Sequence, residues 1–435
     1  MTITRRQFIK TGLGTMAIGL VMPKSLLGQP ASASSLMAGT SGPGRNILVI
    51  VQLAGGNDGL NTVIPYTDSN YSQLRPTIGF LESELVDANG NSTIISDQFG
   101  LHPALSEIKA LYDQKKAAIV LGVGYPNPNL SHFLSMDIWE TADLTGSSGE
   151  GWLGKYADIS LSGATGLPAA AVGGLLPKAM FSPTVVIPSI IDFNVYNFTT
   201  DPAYSGDSTN QLGTFQQNGN RSLSAGSLVS QINNIGMNAV NGALLVQSSI
   251  SKYSSSVVYP NDNPLAQGFQ MLAELLTTID ELQVVYVTMG SFDHHADEVA
   301  NTGGTPDRKS GQHAQLLAWF SQAVNLFYQD LTAHSLADNT LIMTWSEFGR
   351  RVQENTSFGT DHGTASPLFV IGNPVKGGQL YGSQPSLANL DEFGNMQFTE
   401  DFRSVYSTIL DKWLAVDSTA VLGADPFTRD LGFLG

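Results

Sequence analysis

Val284-Val285-Tyr286-Val287-Thr288-Met289-Gly290-Ser291-Phe292-Asp293-His294-His295 is an apolar, β-branched run that stops at glycine and then delivers an acid and two imidazoles. A run of this kind reads as a parallel strand covered on both faces, and in open α/β sheets the chemistry lies beyond the carboxyl ends of the strands. Asp293, His294 and His295 are therefore the first candidates for a site. Alternation along extended backbone puts Asp293 and His295 on one side and turns His294 away as a bystander.

Working outward, the same pattern recurs. Ile47 to Leu53 is a buried strand that runs into Ala54-Gly55-Gly56-Asn57-Asp58-Gly59-Leu60-Asn61, a tight turn with a carboxylate at its centre. Leu101, Leu105, Ile108 and Leu111 recur at helical spacing after Pro103 and lead into the strand 117–123. Beyond that strand lies Ser131-His132-Phe133, with Met136 and Trp139 following on a helix. Leu341 to Trp345 is another buried strand, ending in Ser346-Glu347-Phe348-Gly349-Arg350. A loop with Thr360-Asp361-His362-Gly363 precedes the last apolar run, 367–371, and Phe402, Val405, Ile409 and Trp413 mark a core-facing C-terminal helix. Strand and helix alternate, so the expected fold is α/β, a mostly parallel sheet with helices on both faces. Residues from about 160 to 265 differ in texture and read as an insertion or cap over the core.

The 435 residues carry 42% hydrophobic side chains, enough for a substantial core. Lys+Arg 21 against Asp+Glu 37 gives −16, which disfavours nucleic-acid partners and anionic membranes. The N-terminus reads Thr4-Arg5-Arg6-Gln7-Phe8-Ile9-Lys10, followed by a short apolar segment, the pattern of a twin-arginine (Tat) export signal. Cleavage near Ala31-Ser32-Ala33 removes residues 1–33, including Arg5, Arg6, Lys10 and Lys24 and no acid, and shifts the charge from −16 to −20. Residues 34–45 then form a linker, and the folded domain spans 46–435. A periplasmic or extracellular location follows, with the Tat translocase as partner during export and no transmembrane anchor. Cysteine is absent, so any metal must be held by oxygen and nitrogen.

In a parallel sheet Asp58, Ser131, the Asp293 loop and Glu347 lie at one edge, joined by Asp361 and His362. Carboxylates with imidazole suit a divalent cation, with Zn²⁺, Mn²⁺ and Mg²⁺ the candidates in that order. Several residues keep two readings. Ser131 caps a helix or acts as a nucleophile; His132 is a ligand, a base or a neighbour of the cap; Asp58 shapes a turn or ligates. Arg350 and Arg351 grip an anion or form structural ion pairs. Asp361 touches metal or orients His362 through a hydrogen bond. His102 and His334 are structural, and His313 stays open.

The order of these motifs, from the Tat signal through GGNDGLN, SHF, GSFDHH, SEFGRR and TDHG, resembles the bacterial family called domain of unknown function 1501, related to the alkaline phosphatase and sulfatase superfamily. The resemblance implies an alkaline-phosphatase-like three-layer sandwich with a central insertion. It implies a metal-dependent hydrolase of phosphate or sulfate esters, of small molecules or glycans, with one or two divalent ions (Zn, Mn, Mg or Ca). By the same resemblance Asp58, Asp293, His295, Glu347, Asp361 and His362 supply metal ligands, while Ser131 is the nucleophile position, joined by His132 and Arg350 in the chemistry. Two ions about 4 Å apart would clamp the oxygens of an in-line displacement. The chain departs from the superfamily at Phe348, where an imidazole is usual. The alternative is a non-catalytic binding protein on the same fold.

Overall fold

The computed structural model describes residues 45–164, 166–221, 227–303 and 305–435. The export signal expected at 1–33 lies outside the described residues, as does the expected linker apart from Arg45. Arg45 is buried, and its guanidinium donates to the carbonyls of Leu276, Ile279 and Leu282.

The apolar runs become strands of one nine-stranded sheet. Its parallel members include β1 (Ile47–Leu53), β2 (Ala117–Gly124), β3 (Ala169–Val172), β5 (Val284–Met289) and β6 (Thr340–Trp345), with the two-residue β4 (Ser189–Ile190) at one edge. β1 lies at the centre, parallel to β5 on one side (Leu48 opposite Val284) and to β6 on the other (Leu48 opposite Leu341). Every residue of β1 is buried, which is what a strand covered on both faces requires.

Alternation along β1 assigns the two layers of helix. Ile47, Val49 and Val51 point into a core shared with α1 (Ser106–Asp113), α5 (Pro264–Thr278) and α6 (Gln312–Ala333). Leu48 and Ile50 point the other way, into a core shared with α2 (His132–Thr141), α3 (Trp152–Ser160) and α7 (Phe402–Lys412). The result is the expected three-layer α/β sandwich. In the second core the Trp139 ring stacks on Phe402 at 4.5 Å and on Trp345 at 5.4 Å, fixing α2 against the sheet.

The stretch 160–265, expected as an insertion or cap, is in part an extension of the sheet. It contributes β3, in register with β5 (Ala169 opposite Val284), and β4 beyond it, then lays the long helix α4 (Leu228–Lys252) against α5.

One strand runs against the rest. β9 (Ser366–Ile371) enters antiparallel between β6 and β2, with Ile371 opposite Ile342 and Phe369 opposite Ile119. Its beginning, not its end, therefore lies at the carboxyl edge of the parallel strands. The hairpin of β7 (Arg350–Glu354) and β8 (Thr360–His362) that feeds it is delivered to that same edge, with Arg350 paired to His362. Among the described residues no helix is long and apolar enough to cross a membrane.

Candidate metal centre

The turn after β1 sets the floor of the site. Gly55 and Gly56 have φ of +123° and +80°, and a β-carbon on Gly55 would sit 2.5 Å from the Asp293 amide. Only glycine lets the two loops approach this closely. A β-carbon on Gly56 would strike the Phe348 ring.

Arg350 then ties the loops together. Its Nε donates to Gly56 O (2.7 Å), Nη1 to Thr360 O (2.9 Å), and Nη2 to Gly55 O, Phe292 O and Asp293 Oδ1 (2.6 Å). Its side chain is fully buried. The expectation that Arg350 grips a substrate anion is therefore corrected: every nitrogen of its fork is committed to the protein, and it acts as a clamp. Arg351 lies outside, 3.9 Å from Asp361.

Held this way, Asp293 is the centre of a ring of imidazoles. Oδ1 lies 3.1 Å from His295 Nε2 and 3.1 Å from His362 Nε2, and Oδ2 lies 3.4 Å from His132 Nε2. His295 Nε2 and His362 Nε2 are 3.0 Å apart. The donor atoms of His132, Asp293 and His362 all fall within 4.8 Å of one another. The Asp293 side chain is 44% exposed and that of His295 48%, so the ring is open to solvent.

Each imidazole is anchored through its other nitrogen. His132 Nδ1 meets Glu347 Oε1 at 2.8 Å, His362 Nδ1 meets the Leu130 carbonyl at 2.8 Å, and His295 Nδ1 meets Asp361 Oδ1 at 3.3 Å. Carbonyl and carboxylate oxygens only accept, so each Nδ1 in these bonds carries a proton, and the Nε2 of a ring without a second proton has a lone pair to offer a cation. Three ring nitrogens and a carboxylate converge at these distances, an arrangement held together by protons or by a cation among them. This donor set fits a divalent cation, and its nitrogen content suits Zn²⁺ or Mn²⁺ better than Mg²⁺ or Ca²⁺.

The electrostatics agree with that arrangement. Burial raises the Asp293 carboxyl, but hydrogen bonds from Arg350 and His362 outweigh it and hold the group at about 2. The Glu347 hydrogen bond moves His132 up from its ordinary value, while desolvation moves His362 down.

Glu347 and Asp361, expected as ligands, stand behind the imidazoles instead of beside Asp293. Glu347 is buried, its Oε1 also accepts the Gly55 amide (2.8 Å), and its Oε2 is buried without a partner among the described residues. Asp361 supports His295 and not, as expected, His362. Phe348 packs its ring 4.9 Å from His132 and 4.5 Å from His362. His132, entering from α2, brings an imidazole to the ring from a different element.

Ser131 precedes α2 at the cap position, exposed, and its hydroxyl makes no capping bond. It is flanked by Leu130, whose carbonyl holds His362, and by His132, which meets Asp293.

Asp58 is not part of the ring, which corrects its expected role as a ligand. Its carboxylate is buried in an ion pair with Arg75, with Nη1 on Oδ2 and Nη2 on Oδ1 (3.0 Å), and it accepts the Leu60 amide (3.2 Å) at the start of a short helix. Burial raises this carboxyl, yet Arg75 outweighs burial and holds it well below the usual range. Glu298, also buried, shares a hydrogen bond with Asp58 and is pushed well above its ordinary value by desolvation and by that neighbour. Neither Arg75 nor Glu298 stood out in the sequence, because no spacing links them to Asp58. Next to this pair lie three buried imidazoles, His102, His294 and His313, with ring centroids 5.7 Å apart for His102–His313 and for His294–His313. His294 thus points inward, as alternation predicts. A cavity of about 530 Å³ is lined by His294, Asp297 and Trp319 among others and by no member of the Asp293 ring.

Fold and site together define a three-layer α/β protein with a histidine-rich, solvent-open centre at the carboxyl edge of its sheet. Residues 216–415 match the family described as "Protein of unknown function (DUF1501)", and the chain resembles that family. The matched span holds Asp293, His295, Glu347, Asp361 and His362 and leaves out Asp58, Ser131 and His132. No curated protein matches the chain. Among solved structures it is similar to a protein in the alkaline phosphatase superfamily from Vibrio parahaemolyticus, at 10% identity and a TM-score of 0.39, covering 99% of this chain and 78% of that one. It is similar to the PsFucS1 sulfatase from Pseudoalteromonas sp. at 11% identity and a TM-score of 0.35, covering 90% and 73%. A third is the C-terminal periplasmic domain of EcEptC from Escherichia coli, in complex with Zn, at 9% identity and a TM-score of 0.37, covering 77% and 73%.

Proposed function

We propose that the protein is an exported, metal-dependent hydrolase of phosphate or sulfate esters. The observation that carries this reading is the convergence of the His132, His295 and His362 Nε2 atoms on Asp293, each ring anchored from behind through Nδ1. His132, Asp293 and His362 would hold a divalent ion, with His295 at its margin, and the ion would supply Lewis acidity toward an ester oxygen. Arg350 keeps Asp293 ionised and in place. Ser131, with a hydroxyl not spent on capping and the amino terminus of α2 after it, would act as nucleophile. The open mouth of the ring suits an ester carried on a larger molecule.

Metal analysis of the purified protein tests the first half of the proposal. The expected result is a stoichiometric divalent ion that is lost in His132→Ala and His362→Ala. Turnover of aryl phosphates or sulfates with Zn²⁺ or Mn²⁺ supplied tests the second, and Ser131→Ala is expected to abolish turnover while leaving the metal bound. Protein that carries no ion and turns over neither ester sinks the reading. Export is tested by replacing Arg5 and Arg6 with lysine, which is expected to hold the protein in the cytoplasm.

A second reading, a binding protein that keeps the ion without catalysis, is favoured by the commitment of Asp58 to Arg75 and by Phe348. Bound metal with no turnover, and full biological activity in Ser131→Ala, would decide for it.

A further inference from the structure

We infer that Glu347, which the superfamily pattern would place on a metal, is instead a positioning residue that fixes the tautomer and orientation of His132. The inference rests on the proposed metal site and names a role within it. Glu347 Oε1 receives two hydrogen bonds, from the Gly55 amide and from His132 Nδ1, both at 2.8 Å. The first locks the carboxylate to the turn after β1; the second leaves His132 Nε2 as the lone-pair nitrogen that faces Asp293. Oε2 is buried and has no partner among the described residues, whereas both oxygens of Asp58 are bonded.

The backbone of Glu347 is also held: its carbonyl accepts the Ser135 hydroxyl, which is itself bonded to Tyr125 (2.7 Å), and the next residue, the buried Phe348, packs its ring against His132 and His362. A carboxylate behind a ligating imidazole raises the basicity of that imidazole and reduces the orientations it can adopt, and its loss costs metal affinity about ten- to a hundredfold.

The test combines nitrogen NMR of the His132 ring in the metal-free protein with titration of Zn²⁺ into wild type, Glu347→Ala and Glu347→Gln. In wild type the proton is expected on Nδ1. Glu347→Ala is expected to lose that preference and to bind Zn²⁺ about ten- to a hundredfold more weakly at unchanged stoichiometry. Glu347→Gln, whose amide oxygen still accepts from Nδ1, is expected to restore most of the affinity. Wild-type His132 protonated on Nε2 alone overturns the inference without recourse to any variant. So does Zn²⁺ affinity unaltered in Glu347→Ala, or X-ray absorption showing a Glu347 oxygen on the ion. If wild type binds no divalent ion, the proposed function fails, while the tautomer measurement still decides the role of Glu347.

Discussion

Removing the Arg75 guanidinium strands the Asp58 carboxylate where water does not reach, since both side chains are essentially fully buried. Breaking a buried pair by deleting one partner costs about 3–5 kcal/mol, so Arg75→Met is expected to lower the unfolding free energy by that amount in urea. Asp58→Asn is expected to cost less, because the amide keeps the bond from the Leu60 amide and leaves Arg75 its contacts with the Val352 and Arg351 carbonyls. The same variant separates the two roles once open for Asp58: the metal content is expected to stay at the wild-type value. Loss of the ion in Asp58→Asn would return Asp58 to the ligand set. In the sequence, Asp58 between glycines read equally as a turn former and as a ligand, and nothing local could choose. The deciding partner, Arg75, is contributed by a surface-bound segment with no motif of its own. Asp293 and His295 were legible because a strand end and a period of two suffice to place them.

The elements that carry the site differ in how openly the sequence announces them. β1, β5 and β6 are runs of Val, Ile, Leu and Tyr that end in glycine or serine, and pattern alone marks them as buried parallel strands. β9 is a run of the same kind, yet its direction is fixed by the β7–β8 hairpin before it, through pairings that hydropathy does not encode. That reversal brings His362 to the carboxyl edge. The turn at Gly55 is the other element on which the ring depends. Gly55→Ala places a methyl against the Asp293 amide in a backbone region that costs non-glycine residues about 1–3 kcal/mol. The expected outcome is weaker divalent-metal binding with every ligand still present, together with a lower urea midpoint. Wild-type metal affinity in Gly55→Ala would show that the Asp293 loop does not need this close approach.

Over the whole molecule, buried titratable groups set opposing trends with pH. His102 is held neutral by burial, down to about 3, and His294 to about 4, with His313 lowered as well. A depressed folded value means that each contributes stability present above the unfolded value near 6.5 and lost as pH falls below it. Glu140 works the other way. Burial raises its carboxyl to about 7, so its contribution is complete below the unfolded value near 4.5 and is lost as pH rises toward 7. Between pH 4.5 and 6.5 both kinds of group act at once, each at about 1.4 kcal/mol per pH unit and with opposite sign, so Glu140 cancels the share of one imidazole. Glu140→Gln keeps an oxygen for the Lys178 amide, which lies 2.9 Å from Glu140 Oε2. It is expected to steepen the rise of stability between pH 4.5 and 6.5 by about 1.4 kcal/mol per unit, and to leave the variant about 3 kcal/mol ahead of wild type at pH 8, relative to pH 4.5. His102→Gln is expected to flatten the same rise by one such increment, whatever its offset in absolute stability. Urea unfolding of the three proteins at half-unit steps from pH 4.5 to 8 reads both slopes, and parallel curves for wild type and Glu140→Gln would show that Glu140 ionises in the folded protein as it does in the unfolded chain.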